Sequence, residues 1–228
     1  MILETPTQIP EIENNGDKSI RDKYFGYEST FIILHPFLKN DSVNIENEKD
    51  LTRLNWSEIV DLAKLKDIKE LDRILAFLHC ARSIAPKSVW LKYKKTIELY
   101  NLLDAEVDNY PVCLVYPTLN YLFSIGYRNI FIYSEYNETK ISYSIEELIN
   151  NEISWPMYQT RILTPDYKIL FETNVDERFT YVSGDKSTID KMVEAINLEG
   201  FYCDTNTKPY WSDEVETGET IDWSSAAH

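Results

Sequence analysis

The strongest constraint on this chain is a change of hydrophobic period near Asp108. From Asn55 up to that point, apolar residues recur every three or four positions, the spacing of helices with one buried stripe. Beyond it they come in short runs broken by Pro, Asn, Asp and Gly, the spacing of strands and turns. A chain of 228 residues is long enough to bury a core without disulfides or metal. Two periods in one such chain predict an α+β fold: a mixed, mostly antiparallel sheet with a packed helical pair inserted in the N-terminal half.

The helical stretch carries its own start signals. Asn55 precedes WSEIVDLAKL, with Glu58 placed to complete a capping box. Asp67 caps IKELDRILAFLHCARSI, where Ile68, Leu71, Leu75 and Leu78 form a stripe with Ile74 and Ala81 beside it. Pro86 opens APKSVWLKYKKTIELYNLL, where Val89, Tyr93, Ile97 and Tyr100 repeat. Proline suits a first turn because no hydrogen bond needs its missing N–H. The short break between these segments favours an antiparallel pair. Upstream, Phe31 to Leu34, stopped by Pro36, reads as a strand, residues 1–23 as an irregular leader and 39–50 as a polar loop.

Beyond Asp108, the valine-rich run PVCLVYP predicts a strand covered on both faces. TLNYLFSIG predicts a helix ended by Gly126, and NIFIYSE a second strand. Strand, helix, strand implies a parallel pair joined by a crossover. SIEELINN is a short helix, and RILTPDYKILFETN a hairpin turning at Thr-Pro-Asp. ERFTYVSG is a strand with Phe179 and Tyr181 on one face and Thr180 and Val182 on the other. Ser187 caps KSTIDKMVEAINLEG, Gly200 follows its end, and GFYCD closes the sheet. The expected organisation is one domain over 1–211, with a helical part at 51–105, a sheet-rich part at 106–211, and an acidic tail at 212–228.

The net charge of −15 is unevenly spread. Residues 51–110 carry 10 basic against 9 acidic groups, whereas 198–228 carry 1 against 7. Such a field repels phosphate backbones and anionic membranes. Nucleic acid and membrane are therefore not expected as partners, and a basic protein is the partner this charge accommodates. No feature sets an oligomeric state. The start, MILETPTQIPEIENNGDK, lacks the basic and apolar regions of a signal peptide. Cys80, Cys113 and Cys203 read as reduced thiols, so the expected location is the cytoplasm.

Catalytic signatures are missing. Six glycines leave little room for phosphate loops, and neither GxGxxG nor GxxxxGK[ST] occurs. His35, His79, Cys80, Cys113 and Cys203 show no CxxC, HExxH or HxH spacing, so neither metal nor cofactor is expected. There is no GxSxG elbow, and Cys113 reads as a small core residue. Glu135, Asp166, Asp176 and Asp204 read as solvated turn residues. No catalytic residue is assigned.

Two places remain as candidate sites. If 112–116 and 129–134 pair in parallel, their C-terminal ends share a sheet edge of the kind that binds ligands. Thr118 would then stand at a helix N-terminus, where free N–H groups attract an anion, with Asn120, Ser134 and Glu135 nearby. The second place is the last strand, LEGFYCDTNTKPYW. Strand alternation puts Phe201 and Cys203 on one face and Tyr202 and Asp204 on the other. On this reading Cys203 is packed beside Phe201, and the interaction surface is Tyr202, Asp204, Tyr210 and Trp211.

The stretches YPTLNYLFSIGYRNIFIYSE, LTPDYKILFETNVDERFTYVSG and LEGFYCD resemble an uncharacterised bacterial family of unknown function. The latter two also resemble the last part of immunity-type proteins, in the TPD turn, the strand ending in Ser-Gly and the helix leading to LEGF. The likeness covers the C-terminal half and implies fold; it carries over no active-site residue. With acidic ends, 16 tyrosines and 5 tryptophans, the chain reads as a non-catalytic cytosolic protein-binding protein, immunity-like or regulatory. The alternative is a small-molecule-binding domain or enzyme with its site near Thr118 and Glu135.

Overall fold

A computed structural model describes residues 24, 26–39, 52–80, 86–134, 137–156, 159–174, 177–204 and 207. These residues fall into two units, a sheet unit of 24–35 and 106–207 and a helical unit of 36–105. The fold is α+β, and every strand pairing among the described residues is antiparallel.

In chain order the strands are β1 (Ser29–Leu34), β2 (Phe37–Lys39), β3 (Arg53–Leu54), β4 (Leu102–Leu103), β5 (Asn129–Ser134), β6 (Asn137–Ser144), β7 (Gln159–Leu163), β8 (Leu170–Glu172), β9 (Phe179–Gly184) and β10 (Gly200–Tyr202). The helices are α1 (Trp56–Ala63), α2 (Ile68–Cys80), α3 (Lys87–Tyr100), α4 (Val112–Ser124), α5 (Ile145–Ile149) and α6 (Lys186–Ile196).

The helical unit holds α1–α3 and the small sheet β3-β2-β4. Its start signals work as the residue types predict. The Glu58 carboxylate accepts from the Asn55 N–H at 2.7 Å, and Asp67 accepts from the Glu70 N–H at 2.9 Å. Trp56, Ile59, Leu71, Ile74, Leu75, Val89 and Tyr93 are buried. Ile68, placed by spacing on the α2 stripe, is 37% exposed because it begins the helix. The side chains of Leu78, His79 and Cys80, and all of Ala81, lie outside the described residues.

The sheet unit is a seven-stranded sheet in the order β10-β1-β9-β8-β7-β5-β6. Its register aligns one apolar row across all seven strands: Ile141, Ile132, Ile162, Phe171, Val182, Phe31 and Tyr202. The five residues from Ile132 to Phe31 are buried. This face meets the helices: the Tyr110 ring stands edge-on to Phe171 at 5.6 Å, and its hydroxyl bonds Thr118 of α4 at 2.6 Å. The next row, on the opposite face, is Tyr133, Arg161, Glu172, Tyr181, Ile32 and Phe201, polar at its centre.

Three predicted details are corrected. The run PVCLVYP is not a strand; it joins TLNYLFS as α4, a single helix with Pro117 inside it. A short apolar run has no periodicity of its own, so its state is set by what covers it. Here Cys113, Leu114, Val115, Thr118, Leu119, Tyr121 and Leu122 are all buried, as suits a helix covered on most sides. Pro111 precedes the helix, and the Glu106 carboxylate accepts the Val112 N–H at 2.8 Å, placing an anion at the positive end. Second, Asp185 rather than Ser187 caps α6, accepting from the Thr188 N–H at 2.9 Å. Third, α6 ends on Asn197 in the left-handed conformation, φ 55°. Gly200 sits within β10, where a Cβ would lie 1.8 Å from the Ile32 carbonyl oxygen, so close backbone approach requires it.

Lys64 and Asn101 end α1 and α3 in the same left-handed conformation, with φ 53° and 49°. Gly126, at φ 106°, follows α4 as predicted.

Candidate functional site: the β10 edge of the sheet

The two sequence-derived sites fare differently. Thr118 lies mid-helix rather than at an N-terminus, buried, with its hydroxyl bonded to Tyr110. Asn120 is exposed and its amide donates to the Tyr116 carbonyl at 2.9 Å. Ser134 ends β5, which pairs antiparallel with β6 and β7 and has no parallel neighbour. Glu135 lies outside the described residues. The strand–helix–strand edge that would have gathered these four does not exist, because its first strand is a helix.

The last strand does form an organised surface. β10 is an edge strand, paired only with β1 among the described residues, and the Cys203 N–H extends the pairing to the Thr30 carbonyl at 2.9 Å. Alternation separates Phe201 from Tyr202 as expected, but the covered residue is the other one. Phe201 is 48% exposed, whereas the Tyr202 ring packs edge-on against Phe31 at 5.1 Å. The correction follows from the register: Tyr202 ends the apolar row that faces the helices.

Around Tyr202 the first turn of α6 builds a charged cluster. Lys186 pairs with Asp190 at 2.8 Å, one helical turn on, and its ammonium lies 4.4 Å from the Tyr202 ring centroid. The Tyr202 hydroxyl donates to Asp190 at 2.6 Å. Hydrogen bonds from Lys186 and then Tyr202 hold the Asp190 carboxyl below its ordinary pKa. Burial, then Asp190, pushes the Tyr202 hydroxyl up. Glu28 accepts from the Lys186 N–H at 3.3 Å. Asp204 closes a turn, accepting from the N–H and hydroxyl of Thr207 at 2.9 and 3.0 Å. Tyr210 and Trp211 lie outside the described residues.

Cys203 is half-buried, and burial, then Asp204, raises its thiol to about 12. It is therefore protonated at neutral pH and a poor nucleophile. Cys113 is buried on α4.

Behind this edge lies a buried polar centre that sequence reading missed. His35 is fully buried; its Nδ1–H donates to the Glu106 carbonyl at 2.7 Å and its Nε2 accepts from Thr180 at 2.8 Å. Thr180 in turn bonds Thr173 at 2.7 Å. Burial lowers the His35 pKa to about 3, with Arg178 adding to the effect, so the ring stays neutral. On the other face, buried Glu172 pairs with Arg161 at 3.4 Å, and the Tyr181 hydroxyl donates to buried Glu177 at 3.2 Å. Burial and then Glu177 push Tyr181 far above its ordinary value. The Arg161–Glu172 pair joins β7 to β8, and the His35–Thr180–Thr173 chain joins the ends of β1, β9 and β8. No sequence motif marks them; the one available signal was Glu172 breaking the apolar alternation of KILFET.

Among the described residues no group of three or more His, Cys, Asp or Glu could hold a metal ion. Among them also, no helix is long and apolar enough to cross a membrane.

Fold and edge together define an antiparallel α+β protein whose organised surface is a short, acid-rimmed edge strand. The comparison with known families is specific: residues 16–213 match the family described as protein of unknown function (DUF2711), and the chain belongs to it. No curated protein and no solved structure matches.

Proposed function

We propose that this is a non-catalytic protein-binding protein that presents the β10 edge to a basic partner. The observation that carries the reading is Phe201: a large apolar side chain, half exposed, on an edge strand whose other face holds Tyr202 bonded to Asp190. An exposed aromatic side chain is a common interface anchor. An edge strand also offers backbone groups for pairing. The stretches 1–35 and 106–213 hold 11 basic against 23 acidic residues, which favours a basic partner. The finer reading is an immunity-like or regulatory factor of bacterial cytoplasm, supported by the TPD turn, the strand ending in Ser183-Gly184 and the approach to LEGF.

The test is differential capture by wild-type protein and a Phe201→Asp variant. Phe201 is exposed, so the variant should keep its circular dichroism and melting temperature. Basic proteins held by wild type, lost on Phe201→Asp and lost in 1 M salt, where the screening length falls to about 3 Å, support the proposal. Identical captured sets for the two proteins sink it.

A further inference from the structure

We propose a second interaction surface: the outer face of α3 docks an acidic, leucine-bearing segment of a partner protein. It is independent of the Phe201 reading, because it lies on the helical unit and takes the opposite charge.

The helix packs with Val89, Tyr93 and Thr96 inward. The face turned away carries Lys87, Leu91, Lys95 and Leu99 at strict intervals of four, and all four are exposed. Residues four apart form a continuous ridge on a helix, so lysine and leucine alternate along about 18 Å. Leu91 is 52% exposed and Leu99 68%. Lys94 and Glu98 flank the ridge, and both are exposed. The six residues carry three positive charges and one negative.

A lone exposed leucine is ordinary on a protein surface. Two of them alternating with Lys87 and Lys95 along one ridge match a partner that supplies apolar contacts and carboxylates together. The charge contrast with the rest of the chain is local. Stretch 36–105 holds 12 basic against 11 acidic residues, in a chain of net charge −15. An anionic membrane is an extended surface and acts on that whole negative charge. A peptide segment meets only the ridge, within a screening length of about 8 Å at physiological salt. The charge balance therefore favours the acidic protein segment over the membrane.

The test uses a fluorescein-labelled 20-residue helical peptide, with leucines spaced three and four apart and glutamates between, followed by anisotropy. Controls are the same peptide with lysine replacing glutamate, and phosphatidylserine vesicles. The glutamate peptide should bind, and binding should weaken about tenfold between 0.05 and 0.3 M salt. Leu91→Glu with Lys95→Glu should abolish it while leaving the melting temperature in place, and exchange protection should map to 87–100. Equal binding by wild type and variant, no binding of the glutamate peptide, or preference for the lysine peptide would each overturn the proposal. Binding to vesicles but not to peptide would replace the protein partner with a membrane.

Discussion

The sheet unit and the helical unit solve the burial problem in opposite ways. The sheet unit places charged and polar groups inside: Glu172, Glu177, Arg178 and His35 are all buried, with Glu172 paired to Arg161, Glu177 bonded by Tyr181 and His35 bonded to Thr180. Among the described residues the helical unit buries apolar side chains and leaves its charges exposed or half-exposed, where some cap helices and others line the α3 ridge. A buried polar group is costly unless paired, so it tolerates only one arrangement. A surface charge tolerates many. The sheet unit should therefore be brittle and pH-sensitive, and the helical unit forgiving.

The largest test is Phe171→Ala, which empties the middle of the apolar row. It should cost about 3–5 kcal/mol, read as a lower urea midpoint, with faster amide exchange at 179–184. Exchange at 87–100 rising by the same factor would mean the two units unfold as one, and the comparison would break. Next is Gly200→Ala. Its Cβ would meet the Ile32 carbonyl oxygen at 1.8 Å, so β10 must detach or shift, at about 1–3 kcal/mol. Loss of exchange protection confined to β10 is the expected signature.

Third is acid. His35 is neutral in the fold, with a pKa lowered to about 3 from an ordinary 6.5, so the unfolded chain binds the extra proton first. Its contribution is complete above pH 6.5 and is lost as pH falls towards 3, at about 1.4 kcal/mol per pH unit. Between pH 7 and 5, wild type should lose roughly 2 kcal/mol more than His35→Gln. Parallel pH profiles for the two would remove His35 as the source. The smallest effect is in the helical unit, where Asp67→Ala should cost about 1 kcal/mol through the lost α2 cap, with Leu91→Ser within about 0.5 kcal/mol of wild type.

Much of this architecture was legible because the signals were local. Asn55 with Glu58, Asp67, the TPD turn and the alternation of ERFTYVSG each act within a few residues, and each appears where predicted. What failed depended on partners far away in the chain. Val112 to Tyr116 took helical form because of what surrounds them, and nothing in VCLVY encodes that. With the strand gone, the Thr118 site lost its edge. The β10 surface was half legible: alternation separated Phe201 from Tyr202, but only the register against Phe31 shows which is covered. In the sequence His35 stands as an isolated histidine, since its partners Glu106 and Thr180 lie 71 and 145 residues away.

The three helices that end on Lys64, Asn101 and Asn197 have a practical consequence. A left-handed backbone costs a residue with a Cβ more than glycine, asparagine less than lysine, and this chain has six glycines in all. Each of these positions is exposed, so a glycine there would relieve strain without touching the core. The protein thus carries three ready-made points for raising its melting temperature, distributed over both units and remote from Phe201, on which a stabilised version for partner searches and crystallisation could be built.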